Sequence, residues 1–166
     1  TGAVVFAGIE GSRPLLVEIE ALVAPSTLAS PRRNVVGWDG SRLAMLTAVL
    51  EARCGVPLSG RDIFLNVAGG LKISETAADL AVAAALISSV SGRPAPPRSV
   101  FFGEVALSAE LRQVAQADAR LKEAAKLGFD MAVMPKPRKK LGAPSGLSIA
   151  QPSTLAELIE IMGGVT

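Results

Sequence analysis

The run Leu80–Val90 constrains this chain more than any other part of it. It is apolar, alanine-rich and uncharged, broken only by Ser88 and Ser89. A helix that is apolar all round has to be covered all round. The run is also too short to be a membrane span, which needs about 18 apolar residues. It therefore predicts a buried helix, from about Thr76 to Ser89, inside a core built by the rest of the chain. The chain has the material for this: 49% of its 166 residues are apolar and 19% charged. That is too apolar for disorder and is sized for one domain, residues 1–166, which we do not divide. No secretory leader is expected at Thr1-Gly2-Ala3-Val4, which lacks a basic start.

The flanking pattern alternates between strand and helix signals. Ala3–Glu10 reads as a strand rich in β-branched residues, followed by a turn at Gly11-Ser12-Arg13. From Leu15 to Val23, Val17, Ile19, Ala21 and Val23 lie on one face and Glu18 and Glu20 on the other. That is a half-buried strand closing a hairpin. After the Ser/Pro loop 25–31 come a short segment, Val35-Val36-Gly37, and a helix over Arg42–Arg53. Asp39 or Ser41 can cap that helix and Gly55 ends it. Asp62–Ala68 is a strand, and Gly69-Gly70 a turn. Ser74 and Glu75 both favour the start of the second helix. Val100–Val105 and Leu111–Val114 read as strands around a loop at Ser108-Ala109. Then come a helix over Ala117–Leu127 closed by Gly128, strands at Met131–Met134 and Leu147–Ala150, and a Thr154/Glu157 capping box for a last helix through Met162. Such an order is not the strict alternation of a doubly wound sheet; it predicts an α+β fold, a mixed sheet covered by helices.

Composition excludes much chemistry. The chain has no histidine and one cysteine, Cys54. Ser-His-Asp and Cys-His catalysis, the usual zinc sites and an internal disulfide are therefore ruled out. The single cysteine fits a reducing cytoplasm. At a helix end beside Gly55, it reads as a small packing residue. No phosphate-loop or dinucleotide fingerprint is present. Lys72 and Ser74 permit a Ser-Lys dyad, but solvated Lys72 and helix-capping Ser74 account for them better. Glu104, in an otherwise apolar strand, either pairs with an arginine or faces solvent.

Two segments carry a family resemblance: Gly-Leu-Lys-Ile-Ser-Glu-Thr-Ala-Ala-Asp-Leu-Ala (70–81) and Phe-Gly-Glu-Val-Ala-Leu-Ser-Ala-Glu-Leu-Arg (102–112). Together with Arg13-Pro14-Leu15-Leu16-Val17-Glu18-Ile19, and Pro31-Arg32-Arg33 through Arg42-Leu43-Ala44-Met45-Leu46, they resemble the Lon-protease-like C-terminal domain of the RadA (Sms) family of bacterial DNA-repair proteins. The resemblance covers nearly the whole chain. It implies the fold of ribosomal protein S5 domain 2, shared with the Lon proteolytic domain. By ungapped matching, Ala77 takes the place of the Lon catalytic serine and Arg120 that of its lysine. Alanine has no nucleophile and arginine stays protonated to about pH 12 and above, so the resemblance implies a domain without catalysis.

The resemblance further implies a full-length hexameric, DNA-dependent ATPase that moves branched recombination intermediates. Its ATP, Mg and Zn would belong to an upstream RecA-like domain and zinc finger, with no cofactor in this domain. The expected partners are single-stranded or branched DNA, other copies in a six-fold ring and, as a further candidate, the recombinase RecA; no membrane is expected. Arg32, Arg33, Arg42, Lys72, Arg112 and Arg120 sit at predicted element ends within the family motifs. There they are expected to converge on the DNA backbone, giving salt-dependent, sequence-independent binding. The run Lys136-Pro137-Arg138-Lys139-Lys140 reads as a solvated loop and a secondary contact. Two other functions stay open: a residual Ser74–Lys72 peptidase and a purely structural oligomerisation domain.

Overall fold

The computed structural model describes residues 1–137 and 141–165. Strand β1 (Ala3–Glu10) and β2 (Arg13–Pro25) form the expected hairpin, antiparallel along its whole length, with Val5 opposite Glu18 and Glu10 opposite Arg13. β3 (Arg33–Val36), β4 (Arg61–Val67), β5 (Ser99–Phe101), β8 (Met131–Val133) and β9 (Ser148–Ala150) complete a seven-stranded sheet in the order β3-β4-β2-β1-β5-β8-β9. The two antiparallel pairs, β1–β2 and β2–β4, sit in the middle, and the pairs outside them are parallel. The protein is thus an α/β structure with a mostly parallel mixed sheet flanked by helices, compatible with the expected α+β arrangement.

The alanine-rich run is where its composition requires it to be. A short 3-10 turn (Thr76–Ala78) leads into α2 (Asp79–Ser91), and every residue from Ala77 to Ser88 is buried. α2 packs on β1, β2 and β5 and against α1 (Gly40–Cys54) and α4 (Leu155–Ile161). The two serines that interrupt it tie it to the sheet: Ser88 Oγ accepts from the Gly2 amide at 2.8 Å, and Ser89 Oγ from the Val23 amide at 2.9 Å. Asp39 caps α1 by accepting from the Ser41 amide at 2.8 Å, and Gly55 ends it in the left-handed region. Thr154 and Glu157 form the expected capping box, except that the Glu157 carboxylate accepts from the Ser153 amide at 2.7 Å.

Two expectations are corrected. Val100–Val105 is not one strand. The chain leaves the main sheet at Phe102-Gly103, and β6 (Glu104–Val105) pairs with β7 (Leu111–Arg112) as a separate hairpin. Gly103 has a φ of 156°, and a Cβ there would lie 2.7 Å from Pro135 Cδ, so the break needs glycine. Nor do Ser74 and Glu75 cap α2 with their side chains. The Gly103 backbone does that work: its carbonyl accepts from the Leu80 amide at 3.0 Å and its amide donates to the Ala77 carbonyl at 2.8 Å. No helix among the described residues is long and apolar enough to cross a membrane.

Candidate functional site

Arg120 is a buried structural ion. α3 (Ala117–Lys126) brings Arg120 against β1, where its side chain is 3% exposed. β5 pairs with β1 only at Val5 and Phe6. Beyond that point side chains satisfy the strand's open edge. Arg120 Nη1 donates to the Ala7 carbonyl at 2.8 Å, and Glu75 Oε2 accepts from the Ile9 amide at 2.7 Å. Arg120 Nη2 and Glu75 Oε1 close the loop at 2.7 Å, Nε donates to the Ala115 carbonyl at 3.1 Å, and the guanidinium lies 5.5 Å from the Phe102 ring centre. Together the pair stands in for a missing strand and blunts the edge. Set against the expectation that Arg120 contacts DNA, its side chain is buried and each guanidinium nitrogen donates inward. Ala77 is buried and its carbonyl accepts from the Gly103 amide.

A second buried carboxylate absorbs Arg42. Asp79 opens α2 at 0% exposure. Arg42 Nε donates to its Oδ1 at 2.8 Å, Nη2 donates to Oδ2, and the Val105 amide donates to Oδ2 at 2.9 Å. Burial pushes the Asp79 carboxyl above its ordinary value, against the pull of the Arg42 and Val105 hydrogen bonds. The hydrogen bond to Asp79 in turn holds the Arg42 guanidinium above its own. Arg42 Nη2 also stands 3.8 Å from Glu104 Oε1, which settles Glu104 as an arginine partner. One charge network thus joins α1, α2 and the β6–β7 hairpin. A cation at a helix N-terminus opposes the dipole and suggests another use; here that use is the internal carboxylate.

The remaining predicted cations do not form one cluster. Arg32 binds Asp62, through its amide at 2.6 Å, Nε at 3.1 Å and Nη2 at 2.9 Å, and stacks 5.7 Å from the Phe64 ring centre. These bonds, the amide's foremost, hold the buried Asp62 carboxyl below its usual range. Arg33 Nη1 donates to the Arg61 carbonyl. Both arginines lie at the start of β3, whereas Arg42 follows its end, about 10 Å of strand away. Arg112 lines a cleft of about 320 Å³ with Arg42, Glu104 and Leu107. Lys72 lines another of about 350 Å³ with Ser74, Glu75 and Leu71, and no hydrogen bond links Lys72 to Ser74. Lys72 and Arg112 are exposed, and neither side chain has a partner among the described residues. Lys136 is exposed, while Arg138, Lys139 and Lys140 lie outside the described residues. Cys54 packs against the core, and burial pushes its thiol up, away from reactivity. Among the described residues, no three His, Cys, Asp or Glu side chains are grouped to hold a metal ion.

Glu75 and Asp79 are the two residues that sequence reasoning missed as organising groups. Asp79 did carry a signal, a single acid inside an apolar helix, but its partner is 37 positions away.

A family model described as subunit ChlI of Mg-chelatase matches residues 41–138, more than half of the chain. The chain belongs to this family. The match takes in Arg42, Glu75, Asp79, Glu104 and Arg120, the residues of both charge networks, and Arg112. Over most of its length the chain is also similar to proteins named DNA repair protein RadA. That of Brucella abortus (strain 2308) is 56% identical over 158 residues, 95% of this chain and 34% of the relative. That of Rickettsia felis is 55% identical over 135 residues, 81% and 30% respectively. That of Pseudomonas aeruginosa is 48% identical over 161 residues, 97% and 36%. The chain spans about a third of the length of the curated relatives it matches.

Proposed function

We propose that this chain is a non-catalytic, Lon-like domain of a RadA-type DNA-repair protein, with the fold of ribosomal protein S5 domain 2. It serves as a ring-assembly scaffold and binds the DNA backbone. The full-length protein is a cytoplasmic ATPase that acts on branched recombination intermediates; ATP, Mg and Zn belong to its other domains, and RecA is a candidate partner. The observation that carries the reading is the 48–56% identity to proteins named DNA repair protein RadA.

Two features of the site support the finer parts. The serine and lysine places of a Lon dyad are filled by a buried alanine and by an arginine whose donors hold β1. Lys72 and Arg112 are exposed cations without a competing carboxylate bond, free to meet phosphate. Arg32 and Arg42 would first have to give up bidentate carboxylate contacts. The set reduces to Lys72 and Arg112, with Arg33 as an outlying contact.

The test is salt-dependent binding of the full-length protein to single-stranded and forked DNA. Lys72→Ala and Arg112→Ala should each weaken binding evenly across sequences and lower the salt slope by roughly one. Unchanged slopes in both variants, with assembly intact, would remove these residues from the interface.

A further inference from the structure

A leucine stands bare on a braced turn. Leu107, between β6 and β7, is 68% exposed. The turn around it is held on several sides. The Ala106 amide donates to the Glu110 carbonyl and the Ala109 amide to the Ala106 carbonyl, each at 2.9 Å. The Leu155 amide of α4 donates to the Ala109 carbonyl at 2.9 Å, and the Val105 amide is fixed to Asp79. Ala109 has a φ of 72°, a left-handed conformation that a non-glycine residue keeps only where its surroundings enforce it. An apolar side chain on so constrained a turn is a built knob.

The same chain carries a hole. The cleft beside Lys72 has an apolar floor of Phe6, Leu15, Val17 and Ile73, and Leu71, 39% exposed, forms part of its lip. Its volume, about 350 Å³, accommodates a leucine side chain. Charge suits the fit. Glu10, Glu75 and Lys72 line the hole, whereas Glu110, Arg112 and Arg53, whose Nε donates to the Leu107 carbonyl at 3.4 Å, flank the knob, so an acidic-rich hole faces a basic-rich knob.

We propose that Leu107 of one copy seats in the Phe6–Leu71 cleft of a second copy. Knob and hole are different surfaces, so the contact is head-to-tail, and each pair keeps one free knob and one free hole for growth into a ring or filament. The inference deepens the assembly part of the function proposed above and rests on it; it does not rest on DNA binding. It also gives Lys72 and Arg112 a common place. They occupy separate clefts in one copy, but Lys72 of one copy and Arg112 of the next meet at the same seam.

The experiment is sedimentation velocity over a concentration series with the 166-residue chain, Leu107→Asp, Leu71→Asp, and an equimolar mixture of the two variants. Both positions are on the surface, and circular dichroism verifies that the variants fold. The parent should self-associate, and each variant alone should associate roughly 30-fold more weakly or worse, the scale of a lost hot-spot anchor. The mixture should form a dimer and stop there, because only one intact knob faces one intact hole. A parent that stays monomeric, a variant that assembles like the parent, or a mixture that stays monomeric while the parent assembles overturns the proposal. So does Leu107→Asp losing DNA binding with assembly unchanged, which would assign the leucine to bases. A parent that assembles but shows no salt-dependent DNA binding leaves the seam standing and refutes the DNA part of the function alone.

Discussion

Arg120→Met tests whether the Arg120–Glu75 pair is structural. Methionine keeps an unbranched, flexible apolar stem and removes every donor. Three groups lose a partner. The Ala7 carbonyl belongs to a fully buried residue, so water cannot easily replace the guanidinium, and the orphaned acceptor costs about 1–3 kcal/mol. Glu75, with its side chain 25% exposed, recovers part of its hydration; we discount the about 3–5 kcal/mol of a broken buried pair to about 1–2 kcal/mol. The Ala115 carbonyl belongs to an exposed residue and is rehydrated at little cost. The total is about 2–5 kcal/mol, which for a domain of this size lowers Tm by roughly 4–20 °C. Urea unfolding measures it directly. The double variant Arg120→Met/Glu75→Leu should lose less than the sum of the two single variants, because the pair is one unit. A loss below about 1 kcal/mol for Arg120→Met would refute the edge-blunting role. A DNA salt slope lowered by about one in the folded variant would return Arg120 to the phosphate-binding set.

Asp62, whose carboxyl is held down by Arg32, contributes stability that is present above the unfolded carboxyl range, about pH 4, and is lost as pH falls through its lower folded value. Asp62→Asn should therefore flatten the acid limb of a stability–pH profile, and an unchanged limb would show that the pair is not coupled to folding. Gly103→Ala forces a Cβ into the Pro135 ring at a φ of 156° and should destabilise by about 1–3 kcal/mol in chemical unfolding; a neutral result would mean that the β5–β6 break tolerates a side chain. The chain should leave unfolded protein substrates intact, and serine-directed labelling of the native protein that disappears in Ser74→Ala would revive the Ser74–Lys72 peptidase.

Patterns carried by neighbouring residues were legible in the sequence, because local chemistry determines them. The alternation in β2, the Asp39 cap and Gly55 stop of α1, the Thr154–Glu157 box and the buried alanine-rich helix all follow from period, capping and composition within a few residues. The loss of histidine chemistry was equally readable, since it needs no geometry. The fate of the cations was not. Six basic residues at element ends look alike in sequence, yet Arg32, Arg42 and Arg120 find Asp62, Asp79 and Glu75 at separations of 30, 37 and 45 positions. The β5–β6 break at Gly103 was hidden for the same reason, since Pro135, which crowds the position, is far along the chain. A charge pairs with whatever carboxylate the packed chain brings within hydrogen-bonding reach. Only the assembled sheet, with α2 against one part of it and α3 against β1, decides which cations remain free for a ligand.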